Sequence, residues 1–299
     1  MRMRALPRSV LVVAALLLGA LAAWIVTVQR MRGMDAGPGT DLGGLGWYLG
    51  IWVTMMAAMM LPSVAPMVLL HARVSREKDR RGQASVPTWV FVAGYLAAWT
   101  AYGLVAYAAY RAIRAVDDGF LAWDRGGPYV AGGALIVAGL YELTPLKSVC
   151  LRHCRSPMHF LIGGWRPGWI GSFRMGAEHG AYCVGCCWGI MLALFAVGVM
   201  SLFWMAVVAG VIFVQKLAPI RQDRLTRYAA AGFIGLGVWM AVSPGSIPGL
   251  TLPNSQAAEN ARMRMMHMEP TSQMQKMNQS PGMTKMQKKE QQQPAMPTR

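Results

Sequence analysis

The chain has 299 residues, 55% of them hydrophobic and only 14% charged, with a mean hydropathy of +0.34. That balance argues against a water-soluble globular domain and for a chain solvated largely by lipid. The formal net charge of +16 does not point to nucleic acid, because the basic residues fall between apolar stretches, where orientation signals lie.

Seven apolar stretches are expected as helices, near residues 10–28, 47–70, 88–110, 129–146, 182–200, 201–215 and 228–242. Most are long enough to cross about 30 Å of hydrocarbon. The predicted architecture is an all-α, polytopic transmembrane bundle of about seven spans. The first stretch, within segment 1–28, offers Ala20-Leu21-Ala22 as a small-residue cleavage site. Its apolar character continues through Trp24-Ile25-Val26, so a signal anchor is expected rather than a cleaved leader.

The second stretch carries Met55, Met56, Met59 and Met60, followed by Pro62 and Pro66. Met55/Met59 and Met56/Met60 are i,i+4 pairs on adjacent helical tracks. Thioethers one turn apart suit a soft cation, although methionine also serves as a flexible filler of helix interfaces. The fourth stretch ends with Glu142, and an ionisable group inside a span is a functional candidate by default. The alternative is pairing with Lys147 or snorkelling to the interface.

All five cysteines fall between residues 150 and 187. Cys150 and Cys154 stand four apart with His153 between them. Cys183, Cys186 and Cys187 are expected to open the fifth span, preceded by Glu178 and His179. One connection, residues 147–181, joins the two clusters. It is expected as a structured or interfacial loop, because Trp165, Arg166 and Trp169 suit headgroup depth. Both clusters then lie on one side of the membrane and can converge. Cys150, Cys154, Cys183 and Cys186 are the expected ligands, with Cys187, His153 and His179 in reserve. Thiolates with nearby imidazole suit copper, with zinc or iron as alternatives.

The fifth and sixth stretches are separated only at Met200-Ser201 and are expected as a tight hairpin. From residue 248 to 299 Gln, Met, Lys, Pro, Ser and Asn dominate, and a disordered tail is expected. The tail holds Met263, Met265, Met266, His267 and Met268. Thioethers in a segment without a core have no packing to do, and they bind Cu(I) even in an oxidising compartment.

Seventeen Lys and Arg flank one set of span ends and five the other, which places the N-terminus inside and the tail outside. Three ordered blocks then carry a resemblance. They are Met55-Met56-Ala57-Ala58-Met59-Met60-Leu61-Pro62-Ser63, the run from Tyr141 to Lys147 with Cys150 and Cys154, and the segment around Tyr182-Cys183-Val184-Gly185-Cys186-Cys187-Trp188. Together they resemble a bacterial family of predicted metal-binding integral membrane proteins, a domain of unknown function, over roughly residues 47–240. The resemblance implies metal binding without a reaction. Two positions depart from its pattern: Glu142 stands where Gln is expected, and Gln215 where Glu is expected.

No phosphate loop and no Ser/His/Asp arrangement is present in the sequence, so a carrier or metallochaperone is expected rather than an enzyme. The domain from 47 to 247 would handle copper within the lipid bilayer and load a periplasmic or membrane metalloenzyme partner. The alternatives are a membrane thiol–disulfide redox protein using the two cysteine clusters, or a structural assembly subunit.

Overall fold

The computed structural model describes residues 8–31, 42–82, 86–117, 120, 125–156, 165–198, 201–217 and 222–247. The methionine-rich segment from 248 onward lies outside them. Eight α-helices form among the described residues, without strands: α1 (Arg8–Met31), α2 (Leu45–Arg80), α3 (Thr88–Val116), α4 (Gly127–Glu142), α5 (Pro145–Arg155), α6 (Gly168–Val197), α7 (Leu202–Leu217) and α8 (Gln222–Val242). Five of them, α1, α2, α3, α6 and α8, are long and apolar enough to cross a membrane, and α4 with α5 makes a sixth if that bent pair is one span. The 16 residues of α7 rise only about 24 Å, short of the hydrocarbon thickness.

Helix α6 is the hub, packed by α3, α4, α5 and α7, while α1 lies on α2 and α8 on α4. The contact between α3 and α6 is backbone to backbone. A Cβ at Gly94 would collide with the Phe173 carbonyl, and one at Gly176 with the Phe91 carbonyl. Small residues at such crossings let helices approach without a hydrophobic driving force. Trp52 locks α2 to α3 by donating its indole N–H to the Trp99 carbonyl at 2.9 Å.

Helix α6 begins at Gly168, fourteen residues before the span expected to open at Tyr182. The described part of the connecting segment is therefore mostly helix, and Gly176 and Gly180 are packing positions rather than breaks. Cys183, Cys186 and Cys187 consequently sit mid-helix. After Val197 the chain turns at Gly198, whose φ of +106° only glycine adopts readily. Helix α7 then starts at Leu202, so the fifth and sixth stretches are separate helices.

Helices α4 and α5 meet at 66°. Thr144 restarts the helix: its side chain accepts the Lys147 amide at 3.3 Å and donates to the Tyr141 carbonyl at 2.7 Å, with Pro145 in the first turn. The bend brings Glu142 against Lys147, Oε1 to Nζ 2.6 Å, both side chains fully buried. Gln215 of α7 completes the cluster, accepting from Lys147 at 3.0 Å and donating to Glu142 Oε2 at 2.8 Å. The two positions expected to depart from the family pattern are thus hydrogen-bonded to each other, a carboxylate and an amide around one lysine.

Candidate metal centre

Helix α5 turns back against α6, and its last turn delivers Cys154. Cys183 and Cys186, three apart on α6, share the face that receives it. The three sulfurs lie within 4.8 Å of one another, with Cys154 and Cys186 separated by 3.7 Å. Metal–sulfur bonds of about 2.3 Å place neighbouring sulfurs about 3.8 Å apart around a tetrahedral ion and about 4.0 Å around a trigonal one. Cys154 and Cys186 already stand at ligand spacing, and the 4.8 Å bound leaves less than about 1 Å for the other two separations to close. Cys183 and Cys186 are buried and Cys154 is half-buried, so one edge of the site is open.

The surroundings are set for a charged sulfur. Lys216, in the last turn of α7, points its ammonium at Cys183 Sγ from 2.9 Å. Tyr95 of α3 places its hydroxyl 3.0 Å from the same sulfur. The thiolate is the form that binds metal, and a cation beside it compensates its charge in a low-dielectric interior. The same ammonium lies 3.3 Å from Ser63 Oγ and 3.9 Å from Met60 Sδ, both on α2. Met60 and Cys183 thus flank one nitrogen, which joins the methionine helix to the thiol triad.

The remaining candidate ligands occupy varied positions. Cys187 Sγ is 3.3 Å from Cys186 Sγ, at the edge of the triad. Cys150 lies outside it, its sulfur against Gly185 on the flank of α6. His153 turns away, stacked on Tyr182 with ring centroids 4.4 Å apart and bonded to the Val149 carbonyl. His179 is buried one turn before Cys183, between the rings of Phe91 and Tyr95. Met55, Met56 and Met59 are buried in the core with Met60. Met263, Met265, Met266, His267 and Met268 lie outside the described residues.

Sequence reasoning gave no place to Lys216, Tyr95 or Ser63. Lys216 and Lys147, two of the basic residues that flank apolar stretches in the sequence, are both buried. A lysine at the very end of an apolar stretch was the available signal for Lys216.

An all-α bundle that buries a three-thiol cluster beside a lysine and a thioether is suited to holding a soft metal ion. The chain belongs to the PpoB2 copper chaperone family, whose model matches residues 49–240. No curated protein and no solved structure matches it.

Proposed function

We propose that this chain is a multi-pass membrane chaperone that binds Cu(I) at Cys154, Cys183 and Cys186 and delivers it to a partner metalloprotein. The observation that carries this reading is the convergence of three thiol sulfurs from two helices within 4.8 Å, inside an apolar bundle. Copper handling is the character of the family, and thiolate and thioether donors select Cu(I) over hard cations.

Each residue has a task in this mechanism. Cys183 and Cys186 form the buried anchor on one rigid helix. Cys154, half-buried at the end of the short α5, is the ligand that an incoming partner thiol or thioether displaces first. Ligand exchange keeps copper as Cu(I): one copper–sulfur bond breaks as another forms, and no electron moves. Lys216 offsets the negative charge of the multi-thiolate site when it is loaded and of Cys183 once it is emptied. The apolar helices and the basic-residue asymmetry favour a bacterial inner membrane location with a cytoplasmic N-terminus. The thioethers of Met263, Met265, Met266 and Met268 would then collect copper on the periplasmic side.

The test is metal analysis of the purified full chain, followed by Cu(I) titration against a competing chelator. Wild type should bind Cu(I) with a sulfur-only X-ray absorption shell, and C154S, C183S and C186S should each weaken the first equivalent by about tenfold or more. Unchanged binding in the triple serine variant would refute the site. Purified protein carrying zinc in place of copper would refute the cargo.

A further inference from the structure

A second set of soft donors lies next to the triad, along the seam between α2 and α6. Three ties fix how these helices face each other. The Trp52 and Phe195 rings stand 5.8 Å apart, Met60 and Cys183 flank the Lys216 ammonium, and His71 Nε2 lies 3.1 Å from Ser172 Oγ. Residue numbers rise along α2 as they fall along α6, so the helices run antiparallel. Met67 and His71 of α2 therefore fall opposite the stretch of α6 that carries Met175 and His179. All four side chains are at least 97% buried. Met175, His179 and Cys183 occupy successive turns of α6, while Met60, Met67 and His71 share one face of α2 at 100° per residue.

Methionines alone would be ordinary packing. His71 is different. Its Nε2 is held by Ser172, yet its Nδ1 is buried without a hydrogen-bond partner among the described residues. With Nε2–H donating to the serine hydroxyl, Nδ1 carries a bare lone pair. A buried, unpaired acceptor is costly. An imidazole whose second nitrogen is fixed by a hydrogen bond is the usual form of a histidine metal ligand. Trp165 stacks on this ring at 5.4 Å, and the Lys78 ammonium stands 5.1 Å over that indole. At this end of the seam the Trp165 side chain covers the His71 ring.

We propose that His71 Nδ1, with thioethers from Met67 and Met175, forms a second Cu(I) position, joined to the cysteine triad by the buried donors Met60 and His179. This rests on the reading of the triad as a Cu(I) site and extends it: the metal has a route along the α2–α6 seam from the thiols to the Trp165 end. In the exchange, the copper bonds to Cys154, Cys186 and lastly Cys183 break in turn as bonds to the His71 imidazole nitrogen and the two thioether sulfurs form. Copper stays Cu(I), and the thiolate left behind keeps the Lys216 ammonium as its counter-ion.

The experiment uses the purified full chain in lipid nanodiscs, titrated with Cu(I) under a competing chelator and followed by X-ray absorption. The chain carries M263L, M265L, M266L, H267Q and M268L, which silence the tail and serve as the wild-type background of every variant here. The first equivalent should show sulfur alone, and the second should add a nitrogen scatterer. H71Q retains a polar group that can reach Ser172 but removes Nδ1. It should keep the first equivalent and bind the second about tenfold more weakly or worse. M67L/M175L keeps the apolar volume and should lose the second equivalent in the same way, which decides the matter if H71Q folds poorly. A wild type that takes up only the first equivalent, or a second equivalent that both variants retain, overturns the second position and leaves the triad standing. Failure of wild type to bind the first equivalent overturns the triad itself.

Discussion

The Glu142–Lys147–Gln215 cluster makes a quantitative prediction that needs no metal. E142Q leaves the Lys147 ammonium fully buried with no carboxylate, and removing one partner of a buried pair costs about 3–5 kcal/mol. The geometry offers a specific rescue. Gln215 Oε1 lies 3.0 Å from the same nitrogen, against 2.6 Å for Glu142 Oε1. A carboxylate placed at residue 215 would recover almost the same attraction: at an effective dielectric near 20 the two distances differ by only about 1 kcal/mol. The double variant E142Q/Q215E should therefore be more stable than E142Q alone by about 2–4 kcal/mol. Reversible unfolding in mixed micelles by titration with a denaturing detergent measures the cycle, and first-equivalent Cu(I) stoichiometry reports whether the bundle is native. A double variant no more stable than E142Q would refute the reasoning, since the amide at 215 would then be a spectator rather than the exchanged half of one ion pair.

Other consequences follow from the site's supports. G176A puts a methyl group into the Phe91 carbonyl and should cost about 1–3 kcal/mol by overpacking, with Cu(I) binding weakened as Tyr95 is pushed from Cys183; unchanged thermal stability would contradict the backbone contact. K216M removes a charged hydrogen bond to Cys183 worth about 1.5–3 kcal/mol, so chelator competition should show Cu(I) held about ten- to a hundredfold more weakly. Compartment reporters at Gln83, Trp165 and Gln256 should read cytoplasm, cytoplasm and periplasm; a periplasmic Trp165 would reverse the orientation. Replacing Met263, Met265, Met266 and Met268 with Leu should lower copper stoichiometry without affecting insertion, and unchanged stoichiometry would make the tail mere composition.

The helical character of the chain was legible because apolar runs bounded by Arg, Gly and Pro leave little choice of structure in an apolar solvent. Hydropathy was weaker at boundaries where side-chain polarity and backbone packing disagree. Residues 168–181 include Gly171, Ser172, Arg174, Gly176, Glu178, His179 and Gly180, a composition that reads as loop. In the fold Gly176 and Gly180 meet the backbone of α3, and Glu178 pairs with Arg166 at 2.7 Å. The polar residues are used up by neighbours, and the helix runs straight through them. The bend after Glu142 was hidden for the converse reason. An apolar stretch through Leu146 reads as one span, whereas the Thr144 cap and Pro145 restart it at a new angle.

The same distinction governs the site. Cysteine and methionine announce themselves by type, so the sulfurs were found in sequence. Which sulfurs meet depends on the angle between α4 and α5, and a four-residue spacing on α5 cannot encode it. Cys150 and Cys154 look equivalent as an i,i+4 pair. One lies on the flank of Gly185 and the other reaches the triad, because the helix drifts about 40° over four residues. Lys216 illustrates the limit more sharply. Its position at the end of an apolar run suits a charge that stays at the interface, and only the packing of α7 against α2 and α6 turns it inward. There it touches thiol, thioether and hydroxyl together. Burying an ammonium is expensive unless an anion awaits it. A lysine folded onto Cys183 is therefore matched to a thiolate at this sulfur, the form that binds a metal ion.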